Sequence, residues 1–145
     1  MFGKFLSVLL LLILSPVRVC AQDAATAPGY VFSVTVSSPQ QLDVVLNRAE
    51  DLRKLFKPDD LGKIAIVLHG DELQLFRKNN YRSNQSLVER ARVLDQDSII
   101  DIKACQTMMR MLDIDQADLP NFIEQVPFAP AEIERLQREE GFTRL

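Results

Sequence analysis

The sequence predicts an α/β fold, a three-layer α/β/α sandwich on a mainly parallel sheet of about four to five strands. Three observations point there. Ile64-Ala65-Ile66-Val67-Leu68 is apolar at every position, the pattern of a central strand covered on both faces. Strand-like runs alternate with helical stretches along the chain, which implies right-handed crossovers and helices on both sides of a sheet. The 145 residues, 47% hydrophobic and 26% charged, suit one globular domain and fit neither disorder nor a coiled-coil rod.

The N-terminal stretch stands apart from that domain. Met1 to Ala21 reads as an export signal: Lys4 supplies a charged start, Leu6 to Leu14 an almost unbroken apolar run, and Val19-Cys20-Ala21 a cleavage site after Ala21. The run stops at Ser15, Pro16 and Arg18, short of the roughly 20 apolar residues a membrane helix needs, so no membrane span is expected in the mature protein. A lipid anchor on Cys20 is the alternative, and Val17, Arg18 and Val19 stand where small residues belong. Cleavage leaves 124 residues and one cysteine, Cys105, and the loss of Lys4 and Arg18 takes the formal charge from −3 to −5. The expected address is the periplasm. A polar lead, residues 22–29, then precedes a single domain over residues 30–145.

Within that domain, Tyr30 to Val36 alternates bulky and small residues of high β propensity and reads as the first strand. Ser38 can cap a helix that Pro39 opens, with Gln41 reaching back. Leu42, Val45, Leu46, Ala49, Leu52, Leu55 and Phe56 form its apolar face, Arg48, Glu50, Asp51, Arg53 and Lys54 face water, and Lys57-Pro58-Asp59-Asp60 ends it. Lys63 to Leu68 is the second strand, closed by His69-Gly70. A polar stretch from Arg77 to Asn84 leads to a helix with Leu87, Val88, Ala91 and Leu94 inward. Ser98 to Ala104 is a third strand ending at Cys105, and Gln106 to Leu112 a short helix. A turn from Asp115 to Pro120 follows, then a fourth strand over Phe122 to Val126. Pro130 to Glu140 is a helix with Ile133 and Leu136 inward, Gly141 its stop, and Phe142 to Leu145 a last edge strand.

Composition excludes several functions. A chain without basic excess lacks the charge that holds nucleic acid by its phosphates. Two cysteines and one histidine are too few for a Cys/His zinc site or a disulfide scaffold, which leaves only Asp/Glu-based metal sites formally open; without a second ligand cluster beside His69, no metal site is expected. No glycine-rich phosphate loop follows the first strand, and no cofactor is expected either.

Sites in open parallel sheets form at the carboxyl ends of the strands, and the two candidate catalytic residues, His69 and Cys105, both fall there. Cys105 sits at a strand-to-helix junction, where helix N–H groups favour the thiolate; a neighbouring His69 would favour it further and could move protons. Lys103 could assist or be turned away by strand alternation. The plain alternatives are a buried cysteine acting as a small hydrophobe and a histidine satisfying loop backbone. Arg77, Lys78, Asn79, Asn80, Tyr81 and Arg82 form the local basic cluster, either a solvated loop or a cover that steers an anionic sulfur compound. Asn84-Gln85-Ser86 matches a glycosylation sequon, and Met108, Met109 and Met111 read as helix core.

The order of these features resembles the DsrE/DsrF-like family, small α/β proteins of bacterial and archaeal sulfur metabolism, and in particular its short stand-alone members. The resemblance runs from about Tyr30 to Leu145. It rests on Val67-Leu68-His69-Gly70, on Lys103-Ala104-Cys105 before a short helix, on Ile114-Asp115 to Leu119, and on Leu136-Gln137 before Gly141-Phe142. It implies that Cys105 accepts sulfane sulfur as a persulfide and passes it to a partner thiol, a sulfur-transfer role rather than hydrolysis or redox catalysis. It also implies assembly into homo- or hetero-oligomers. Relatives carry a glycine after the short helix, where this chain has Leu112-Asp113-Ile114, and a Ser-Gly pair after the fourth strand, where it has Phe128-Ala129. A binding or assembly module of the same fold without the chemistry is the rival expectation, and a Cys105–Cys105 redox dimer a third.

Overall fold

The computed structural model describes residues 29–56, 62–97 and 100–145. The export signal with Cys20, most of the polar lead, the helix end at Lys57 to Asp60 and the strand start at Ser98 lie outside the described residues. Five strands form one sheet: β1 (Tyr30–Val34), β2 (Ile64–Leu68), β3 (Ile100–Cys105), β4 (Glu124–Val126) and β5 (Thr143–Arg144). Their order is β4-β3-β2-β1-β5 and every neighbouring pair is parallel. The all-apolar β2 is the central strand, buried at each position, because helices cover both of its faces.

Handedness decides which helix goes where. The chain steps from β1 to β2 to β3 through α1 (Pro39–Leu55) and α2 (Tyr81–Gln96) in one direction. From β4 it returns across the sheet to β5 through α4 (Ala129–Glu139), and a right-handed crossover in the reverse direction must pass over the opposite face. Phe32, Val34, Ile64, Ile66, Leu68, Ile100, Ile102 and Ala104 therefore pack against Leu42, Leu46, Leu87 and Val88 of α1 and α2. On the other face Val31, Ala65, Val67 and Cys105 meet Ala129, Ile133 and Leu136 of α4. The alternation of each strand sorts its residues between these two cores.

Local chemistry sets the boundaries. Ser38 Oγ caps α1 by accepting from the Gln41 N–H at 3.3 Å, Pro39 takes the first turn, and the Gln41 side chain accepts the Ser37 N–H at 3.1 Å. The apolar face of α1 is buried at Leu42, Leu46 and Ala49, but Leu55 is 78% exposed and Phe56 is also open to water. The polar stretch after β2 differs from the sequence expectation. Asp71–Phe76 and Lys78–Asn80 wind as short 3-10 turns, and α2 already begins at Tyr81, with a break at Asn84. The sequon at Asn84 thus lies inside a helix rather than on an open loop.

The short helix α3 (Gln106–Met111) ends in a Schellman motif. The Ile114 N–H donates to Met109 O at 2.9 Å and the Asp113 N–H to Arg110 O at 3.5 Å. Asp113 carries the positive φ of 51° that this motif requires. Glycine is the usual residue at such a position, and aspartate is among the few others that tolerate it. Met109 is buried beneath the turn whereas Met111 is 72% exposed, so only part of the methionine cluster is core.

Candidate functional site at the strand ends

Because all strands run parallel, the carboxyl ends of β1, β2, β3 and β4 share one edge, and His69 and Cys105 lie on it. The ladder between β2 and β3 closes at Leu68 opposite Ala104, so the two candidates occupy the next position of adjacent strands. Val67 and Cys105 belong to the core under α4, and His69, two residues beyond Val67, continues on that face.

The two side chains have different partners. Cys105 is 3% exposed, and its Sγ accepts the backbone N–H of Ala129 at 3.4 Å. Ala129 is the first residue of α4, so the donor on the sulfur belongs to α4, not to the helix that follows Cys105 in sequence. An N–H donor at a helix start is the kind of group that steadies negative charge on sulfur. His69 is half-buried and turns toward β1: Ser33 Oγ lies 2.9 Å from its Nε2, and Thr35 Oγ1 3.3 Å from its Nδ1. The edge brings the two residues to neighbouring strands, but their hydrogen bonds lead in opposite directions.

Lys103 shares the face of Cys105, two residues along β3, and is 5% exposed. Alternation does not turn it away; its ammonium is instead engaged by Glu124 and by Glu132, the latter at 3.4 Å. Glu132 sits on α4, so this pair ties the helix to the sheet beside the thiol. The Glu132 carboxyl is held below the usual carboxylate range, first by its hydrogen bonds with Arg135 and then by the charge of Lys103.

A residue that the sequence did not single out fixes the approach to His69. Glu72 is fully buried, and its carboxylate accepts the Gly70 N–H at 2.7 Å and the Val36 N–H at 3.0 Å. These donors sit one residue past His69 and one past Thr35, so Glu72 clamps together the two segments that meet at the imidazole. Gly70 is required by the same clamp, since a Cβ there would lie 2.7 Å from Glu72 Oε2 and 3.2 Å from Thr35 Cα. The available signal was the apolar trio Leu73, Leu75 and Phe76 beside Glu72, which marks a segment folded onto the core.

The basic cluster does not cover this edge. The Arg77 guanidinium is held by Gln74 and Asp118, each at 3.2 Å, and Lys78 and Tyr81 line a separate groove with Arg92 and Phe122. Among the described residues no group of three His, Cys, Asp or Glu is placed to hold a metal ion. No described helix is long and apolar enough to cross a membrane.

Fold and edge together define a small α/β protein built on a five-stranded parallel sheet. In sequence, neither a known protein family nor a curated protein matches the chain. In structure it is similar to a protein of unknown function, MTH1491 from Methanobacterium thermoautotrophicum, one of five matching solved chains. The TM-score is 0.65 over 81% of this chain and 97% of that one, at 18% identity. An identity that low speaks for the shared fold alone.

Proposed function

We propose that the chain is an exported, DsrE-like sulfur carrier that works through Cys105. The observation that carries this reading is the placement of Cys105 at a strand end, with the first N–H of α4 on its sulfur. In the proposed step the Cys105 thiolate attacks the outer sulfane sulfur of a donor persulfide. A new S–S bond forms, the donor's own S–S bond breaks, and the donor thiolate leaves with that electron pair, so no net oxidation occurs. Attack by an acceptor thiolate on the outer sulfur of the Cys105 persulfide reverses the sequence and regenerates Cys105. His69, on the next strand, is the candidate for proton movement at this edge. The donor and acceptor are sulfane sulfur compounds or protein thiols, the protein works as a homo-oligomer, and export rests on Met1 to Ala21.

Incubation with a polysulfide followed by intact mass measurement tests the proposal. The protein is expected to gain one sulfur atom that a reducing thiol removes, and Cys105→Ser is expected to gain none. Equal gain by Cys105→Ser would exclude the mechanism. The 3% exposure of Cys105 favours a second reading, a binding or assembly module that keeps the fold without the chemistry. Under that reading Cys105 stays inert to polysulfide until the protein is denatured.

A further inference from the structure

A cleft of about 240 Å³ opens between α4 and the β1–β5 side of the sheet, lined by Ser33, His69, Ile133, Glu134, Gln137 and Arg144. Cys105 does not line it. Arg144 pairs with Val31 across the β5–β1 ladder, and paired residues point to the same face; Val31 belongs to the core under α4, so Arg144 reaches into this cleft. Six other arginines, Arg53, Arg77, Arg90, Arg92, Arg135 and Arg138, hold carboxylates. Arg144, like Arg48, Arg82 and Arg110, makes no ion pair among the described residues, and of these four it alone lines the cleft. The one carboxylate on the cleft wall, Glu134, is engaged by Arg138 at 3.2 Å on its own helix.

The polar groups that face the cleft are chiefly donors. When His69 Nε2–H donates to Ser33 Oγ across their 2.9 Å contact, the serine hydroxyl proton is free to be donated into the cleft. The Arg144 fork and the Gln137 amide add further donors, and Ile133 supplies an apolar wall. We propose that this cleft is a binding site for a small oxyanion, held by Arg144 and Ser33 with His69 orienting the serine. The volume suits a head group such as a sulfur oxyanion or a single carboxylate and is below that of drug-sized ligand sites. The site does not depend on sulfur transfer at Cys105, and its readout is independent of the thiol.

The test is calorimetric titration of the intact protein with thiosulfate, sulfate and acetate at constant ionic strength. Saturable one-to-one binding is expected. Signal from sulfate and thiosulfate with acetate silent identifies a tetrahedral head group, and the reverse identifies a carboxylate. Loss of a charge-assisted fork predicts at least ~10-fold weaker binding in Arg144→Gln, while Arg110→Gln, which removes a charge outside the cleft, is expected to bind as the parent does. A second readout needs no variant: His69 is the only histidine, so its ring resonances report directly and are expected to shift as the anion saturates. Absence of saturable binding by all three anions would overturn the proposal. So would an unshifted His69 ring, or an affinity that Arg144→Gln leaves unchanged.

Discussion

Glu72 keeps a carboxylate out of water with two backbone N–H groups as its partners. Glu72→Gln replaces one acceptor oxygen by a donor that faces one of those N–H groups, and leaving such a group unpaired costs about 1–3 kcal/mol; a drop of that size is expected in the urea midpoint analysis. Asp113 offers the opposite case. Its φ of 51° is strained for a residue with a Cβ, so Asp113→Gly is expected to raise stability by about 0.5–1 kcal/mol, the relief outweighing the freedom given to the unfolded chain. An unchanged or lower midpoint would mean that the aspartate side chain compensates locally. At this scale the sequence was legible in part. Cys105 and His69 could be read as strand-end groups from the runs that precede them. Their partners Ser33, Thr35 and Ala129 could not, because each contact spans 24 or more residues and depends on strand order.

The elements were legible wherever their periodicity was long. The all-apolar β2, the Ser38–Pro39 start of α1 and the Leu87, Val88, Ala91, Leu94 stripe of α2 each declare a buried surface, and each is found as such. The 3-10 turns after β2 escaped because three-residue winding repeats too briefly to show a period. Ion pairs then join the elements. Arg90 of α2 binds Asp43, Asn47 and Glu50 of α1, and Lys103 with Glu132 joins α4 to β3. The Glu50 carboxyl is lowered to about 2, first by Lys54 and then by Arg90, and Glu132 is lowered by Arg135 and Lys103. A folded pKa below the unfolded one gives stabilisation that is complete above the ordinary carboxylate range and is lost as pH falls through the folded value. Half-buried Asp95 shifts upward instead, chiefly through desolvation, and takes up its proton first, which partly offsets the loss. Chemical denaturation across pH is therefore expected to show a plateau above about pH 5 and a decline between 4.5 and about 2. Stability that stays level to pH 2 would show that these pairs contribute nothing net.

For the whole molecule, the apolar run of β2 and the alternation of strands with helices were enough to define a parallel α/β sandwich. They could not say which helix takes which face, and so could not reveal the cleft beside Arg144 or the cover over Cys105. The two faces are unequal: α1 and α2 share a large apolar core, while α4 covers its side through a smaller one and an ion pair. Local opening follows such differences in buried contact, so α4 is expected to lift from the sheet more readily than the molecule unfolds. Such a motion would expose the buried sulfur to a donor, as the proposed carrier role requires. The rate of Cys105 labelling by a small thiol reagent, followed in native buffer and through low urea, separates lifting of α4 from global unfolding. With only α4 moving, labelling is expected to be much faster than global unfolding and insensitive to low urea. Labelling that appears only as the whole protein unfolds, with the full urea dependence of that transition, would contradict it.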